Sequence, residues 1–137
     1  MRVLALDYGS ARCGCALSDP TGTLATPIEP VSRPATRKGF ARVVDLVRER
    51  EVERVVVGLP LSLSGRDSAQ TGEARSFAAR LGQAVEVPVE LYDERFTTAI
   101  AARSGDRRTS EDSRAAAVLL EDWLARHAHA PAAEDRA

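Results

Sequence analysis

At 137 residues, with 44% hydrophobic and 28% charged residues, the chain has the size and composition of one globular domain with a single core. Its formal net charge of −1 argues against a nonspecific nucleic-acid coat, which is basic overall, but leaves room for a nuclease whose acidic site offsets a local basic patch. No apolar run approaches the ~20 residues that span a bilayer, and the N-terminus enters a strand without a basic-then-apolar leader, so cytoplasm is the expected location.

Val3, Leu4, Ala5 and Leu6 form a short apolar run that suits a strand buried on both faces. Asp7 follows where the chain would leave the sheet, and Gly9 permits a tight turn with close backbone approach. A carboxylate at the rim of a hydrophobic sheet can hold a hard cation. An acid in that position also serves as an ordinary turn former.

Residues 13–18, Cys-Gly-Cys-Ala-Leu-Ser, read as a second strand, and the short link makes it antiparallel to the first. Cys13 and Cys15 then share one face, where two small buried thiols explain them better than a metal site. Such a site would need further partners at suitable spacing, and the two histidines, His127 and His129, lie far off. Leu24 to Val31 forms a third strand, and Pro27 and Pro30 assign it to an edge.

Thr36 is the expected cap of a helix with Phe40, Val43, Val44 and Val47 on one stripe. Its other face carries Arg37, Lys38, Arg42, Arg48 and Arg50, which a solvated helix surface explains by default and phosphate contact explains as the alternative. Lys38 is the sole lysine among 19 basic residues, and arginine forks suit phosphate geometry, though biased genome composition explains the excess equally well.

Val52 to Leu59 is a buried strand reached by a crossover, hence parallel to the first. The polar loop from Ser62 to Ser68, with Gly65 and Arg66, follows its carboxyl end, where open sheets bind ligands. A helix from Ala69 to Leu81 buries Phe77, Ala78 and Leu81, with Gly82 as its stop. Val85 to Tyr92 is the fifth strand, placed near an edge by Pro88, and it ends in Asp93-Glu94-Arg95. Thr97 and Thr98 cap a further helix through Ile100 and Ala101, and a basic loop spans Arg103 to Arg108.

Ser110 is the expected cap of the last long helix, whose stripe holds Ala116, Leu119, Leu120 and Trp123. Asp112 lies four residues before Ala116, on that inward stripe. The helix dipole favours an acid in the first turn, but an acid facing the sheet needs a further reason. Residues 1–127 form the expected domain, and 128–137 read as a disordered tail.

This order implies an α/β fold with a mixed five-stranded sheet, order 3-2-1-4-5, strand 2 antiparallel, flanked by helices. One rim then gathers Asp7, Asp93 or Glu94, and Asp112. Neighbours in a strand point to opposite faces, so one of Asp93 and Glu94 can join Asp7, and parity does not say which. Clustered carboxylates repel unless a cation neutralises them, and Mg²⁺ or Mn²⁺ suits such oxygen ligands.

Four blocks, LALDYGSARCGCALSD, VVVGLPLSLSG, YDERFTT and EDSRAAAVLLEDWL, follow one another over nearly the whole chain. Together they resemble the YqgF/RuvX family of RNase H-like proteins, described as pre-16S rRNA nucleases or Holliday junction resolvases. The resemblance implies Asp7, Glu94 and Asp112 as catalytic, metal-holding acids, favouring Glu94 over Asp93. Gly9, Gly58, Gly65, Arg66, Arg95 and Thr97 become secondary, substrate-binding candidates. The two cysteines and the arginine-rich loop before Asp112 depart from the family pattern.

The implied function is metal-dependent endonucleolytic cleavage, in maturing the 5′ end of 16S rRNA or, alternatively, in resolving four-way DNA. The partner is structured RNA or branched DNA, and the protein is a monomer or homodimer, with no membrane partner. Two competing classes are a sugar or acetate kinase relative, which would need a second domain, and a nucleic-acid-binding module without activity.

Overall fold

The computed structural model describes residues 1–59, 69–93 and 111–127, at 111 and 112 the backbone only. The strands are β1 (Val3–Asp7), β2 (Arg12–Ser18), β3 (Ala25–Ser32), β4 (Arg54–Leu59) and β5 (Val89–Asp93). The described helices are α1 (Arg37–Glu49), α2 (Ala69–Ala84) and α3 (Glu111–His127). The sheet order is β3-β2-β1-β4-β5, with β1–β2 and β2–β3 antiparallel and β1–β4 and β4–β5 parallel. This is the mixed sheet expected from the element order, with β1 at its centre and the proline-bearing β3 at an edge.

The pleat sorts the core into two layers. Leu4, Leu6, Cys13, Cys15, Leu17, Val55 and Val57 face α1 and α2, where they meet Val43, Val47, Phe77 and Leu81. Val3, Ala5, Ala16 and Val56 face α3 and meet Ala116, Ala117, Leu120 and Trp123. Cys13 and Cys15 are free thiols without solvent exposure, the small hydrophobes their shared parity suggests.

Several boundaries differ from the sequence reading. Helix α2 continues past Gly82 to Ala84, because Gly82 does not take the left-handed conformation of a helix stop. It is an exposed interior position, and a Cβ there would meet Val89 Cβ at an ordinary 3.9 Å. Strand β5 starts at Val89 rather than Val85, since Pro88 contributes only its carbonyl, to Val55 N–H at 2.9 Å. The cap at Ser110, the helix near Thr97 and Thr98, the loops holding Gly65 and Arg66, and the tail 128–137 lie outside the described residues. None of the described helices is long and apolar enough to cross a membrane.

At the β3–α1 corner, the Thr36 hydroxyl accepts from Gly39 N–H at 3.1 Å and donates to the Arg33 carbonyl at 2.7 Å. The helix start lies so close to this corner that a Cβ on Gly39 would stand 2.0 Å from Arg33 O and 2.6 Å from Ser32 O. Only glycine fits there.

Helix α3 is fastened at both ends. β3 carries one extra residue opposite β2, since Cys13 pairs with Val31 but Cys15 with Ile28. The buried Ser113 hydroxyl fills this irregularity, accepting from Cys15 N–H at 3.2 Å and donating to Ile28 O at 2.6 Å. At the far end Trp123 Nε1 donates to Glu90 at 2.9 Å, Arg54 donates to the same carboxylate at 2.6 Å, and Tyr92 donates to Asp122. The helix therefore crosses the sheet obliquely, from β2 and β3 at its N-terminus to β5 at its C-terminus.

Gly39→Ala is expected to cost about 1–3 kcal/mol in urea unfolding, as forced overpacking does. Gly72→Ala, in the first turn of α2 and exposed with nothing within 4 Å of the new Cβ, should instead cost nothing or gain up to about 0.5 kcal/mol. Ser113→Ala leaves a buried N–H and carbonyl short of a partner and should cost about 1–3 kcal/mol by the same measurement.

Candidate active site

Strands β1, β4 and β5 are parallel, so their carboxyl ends share one rim, and antiparallel β2 starts there. Asp7 closes β1 opposite Gly14. By alternation it points with Val3 and Ala5 to the α3 side, while Tyr8 turns to the other core. Tyr8 is buried, its ring 4.9 Å from that of Phe77. Burial first, then the charges of Glu73 and Cys13, raise its phenol pKa above the ordinary value. This anchor holds the residue after Asp7 in place and leaves the half-buried carboxylate at the sheet's end.

The turn beyond is equally constrained. A Cβ on Gly9 would stand 2.6 Å from the Arg12 carbonyl, so the close approach expected of this glycine is real. Leu6 pairs with Val57, and the next rung brings Gly58 beside Asp7, with Tyr92 beyond it on β5. All three residues fall on the α3 face. Gly58 has no side chain, so nothing from β4 fills the space between Asp7 and Tyr92. Burial, the hydrogen bond to Asp122 and that carboxylate's charge raise the Tyr92 phenol pKa strongly. Tyr92 thus stays a neutral donor that ties β5 to α3.

The first turn of α3 lies over the same face. Ser113 bonds the Cys15–Ile28 rung, Leu6 pairs with Cys15, and Asp7 occupies the next rung. The backbone of residue 112 precedes this anchor directly. Its side chain, and Glu94, Arg95, Thr97, Gly65 and Arg66, lie outside what is described. The parity left open in the sequence is fixed on one side. Asp93 alternates with Tyr92 and pairs with Leu59, so it falls on the α1/α2 side, away from Asp7.

Among the described residues, no group of three His, Cys, Asp or Glu could hold a metal ion. Among the described residues, the acid at the rim on the α3 face is Asp7. Cys13 and Cys15 point into the opposite core, and His127 stacks on Trp123 at 4.0 Å, at the C-terminal end of α3. The carboxylate oxygens of Asp7 suit a hard divalent cation rather than a thiophilic one.

Two positioning residues escape a reading by motif. Ser113 is a polar residue on the inward stripe of α3, three residues before Ala116, and that misplacement was its signal. Arg33 takes φ of 44° at the β3–α1 corner, which no sequence pattern announces.

Comparison with known proteins places this geometry. The family model described as "RuvX: Holliday junction resolvase" matches residues 1–126. A protein of Maridesulfovibrio salexigens named "Putative pre-16S rRNA nuclease" is 38% identical, over 92% of this chain and 99% of its own length. Its namesake in Mycobacteroides abscessus is 44% identical over 90% of this chain and 80% of its own. In fold, the chain is similar to Thermus thermophilus RuvC in complex with a Holliday junction substrate. That match has a TM-score of 0.59 at 17% identity, covering 94% of this chain and 97% of that one. The fowlpox virus Holliday junction resolvase matches with a TM-score of 0.56 at 13% identity, covering 92% and 99%. The match over residues 1–126 covers most of the chain: this chain belongs to the RuvX family.

Proposed function

We propose that the chain is a divalent-metal-dependent endonuclease that hydrolyses a phosphodiester bond in 5′-end processing of pre-16S rRNA. One observation carries the reading: Asp7 ends the central strand on the face of α3, beside the gap that Gly58 leaves. The names of the full-length relatives support RNA as the substrate.

Asp7, Glu94 and Asp112 are the acids that would hold Mg²⁺ or Mn²⁺. Two ions about 4 Å apart, when bound, supply an acidified water and charge stabilisation for the leaving oxygen. Asp7 contributes a carboxylate whose base is fixed by the sheet and by Tyr8. Glu94 gains support from parity, since Asp93 belongs to the opposite face. Asp112 gains support from Ser113, which holds the first turn of α3 within one rung of Asp7. Gly9 and Gly58 keep the approach to Asp7 clear for a substrate backbone, and Gly65, Arg66, Arg95 and Thr97 complete the substrate-binding set.

A second reading keeps the chemistry and changes the substrate to a four-way DNA junction, as the family description names a Holliday junction resolvase. Cutting a junction symmetrically takes two active sites, so it requires a dimer.

The test incubates wild type, Asp7→Asn, Glu94→Gln and Asp93→Asn with a pre-16S 5′ leader RNA and a four-way DNA, in Mg²⁺, Mn²⁺ or EDTA. Cleavage should require metal, fall at least about a hundredfold in Asp7→Asn and Glu94→Gln, and stay near wild type in Asp93→Asn. Activity that persists in Asp7→Asn and in EDTA would sink the assignment. Preference for the DNA by a dimer would select the second reading.

A further inference from the structure

The rim has a second chemical feature, on the β3 side of Asp7. β2 descends from the rim and β3 returns to it, so Arg12 and Ser32 pair two residues beyond the Asp7–Gly14 rung. Arg33 follows, then α1 opens with Arg37 and Lys38. All three cations are exposed. Among the described residues no carboxylate forms an ion pair with them, whereas Arg42 farther along α1 is paired with Glu49 at 3.4 Å.

Two aspects of this placement run against ordinary stability. The first turn of α1 contains no acid and two cations, although the positive end of a helix dipole favours the reverse. Arg33 has φ of 44°, a left-handed conformation that glycine or asparagine takes more readily. Its backbone is nevertheless tied on both sides. Arg33 N–H donates to Ala11 O at 2.9 Å, and Arg33 O accepts from Thr36 N–H at 3.1 Å and the Thr36 hydroxyl at 2.7 Å. The corner thus presents a cation from a rigid base, where a smaller residue would be more comfortable.

A groove of about 840 Å³ runs from this corner between β3 and α1, with Arg33, Thr36, Lys38 and Arg42 along it. Its acidic members, Glu29 and Asp45, lie away from the rim, about 10 Å down β3 and about 12 Å down α1. Among the described residues lining this groove, the rim end carries Arg33 and Lys38 and no acid.

We propose that Arg33, Arg37 and Lys38 form a phosphate-binding track for the RNA backbone flanking the cleaved bond, a surface that rests on the function proposed above. Charge complementarity selects the occupant: a row of cations on a helix N-terminus, in a protein of net charge −1, fits a polyanion. Crossing from β1 to β3 and climbing two residues to the Arg12–Ser32 rung spans roughly 12 Å, and the three cations follow just beyond, where the chain turns over the sheet's end onto the α1 side. A duplex covers that in about three or four nucleotides at ~3.4 Å of rise each. Arg48 and the capping residue Arg50 sit about 15 Å or more farther along α1 and belong to the solvated face. The structure thereby divides the basic helix surface into a binding end and an idle end.

The experiment measures binding of a fluorescein-labelled RNA hairpin with a single-stranded 5′ leader, in an Asp7→Asn background so that nothing is cut. A variant with Arg33→Asn, Arg37→Gln and Lys38→Gln should bind about tenfold or more weakly at 0.15 M salt. Its log K against log salt should be shallower by about 2, as expected for three lost phosphate contacts. Its melting temperature should hold or rise, because asparagine accepts the left-handed corner and the helix start loses two opposed charges. Arg48→Gln with Arg50→Gln should bind as the Asp7→Asn parent does.

Equal binding by the triple variant and the parent would overturn the proposal, as would equal losses in both sets. So would a loss confined to a four-way DNA probe run in parallel. The nuclease assignment fails separately, through cleavage that survives Asp7→Asn, and binding in this background does not depend on it.

Discussion

Strand β1 is buried on both faces, and the strict alternation this imposes governs the rim. A one-residue slip would send Asp7 into the α1/α2 core and Tyr8 out to the α3 face. Pairing with β2 on one side and β4 on the other makes such a slip costly, because Leu4, Leu6, Val3 and Ala5 would all exchange layers. A packing rule thus aims the Asp7 carboxylate.

The second layer of control is the oblique seat of α3. Ala116 and Ala117 let the helix lie close over Ala5 and Ala16, so a hydroxyl as short as that of Ser113 can reach the ladder between β2 and β3. The irregularity produced by the extra residue in β3 becomes a socket. The same edge strand that carries Pro27 and Pro30 therefore fixes the helix start beside the rim where Asp7 ends β1.

Much of this was legible in the chain. Apolar runs at Val3–Leu6 and Val55–Val57 gave the two central strands, and the prolines of β3 gave its edge, because burial and missing donors leave direct marks on composition. Gly82 misled, since a glycine marks a helix stop only where the backbone turns left-handed, and here it does not. Proline likewise shortened β5. The parity of Asp93 and Glu94 could not be read from spacing, as it depends on which layer Tyr92 joins. Arg33 and Ser113 matter through backbone conformation and a gap in a neighbouring ladder, neither of which residue identity encodes.

The single tryptophan occupies an informative position. Trp123 is held between Glu90 on β5 and the imidazole of His127, with Arg54 lying 6.0 Å from its ring. An indole in that setting is a built-in optical gauge of whether the closing helix is seated. Because the opposite end of that helix lies over the face to which Asp7 points, its emission reports how firmly the helix is seated along its whole length, without any label.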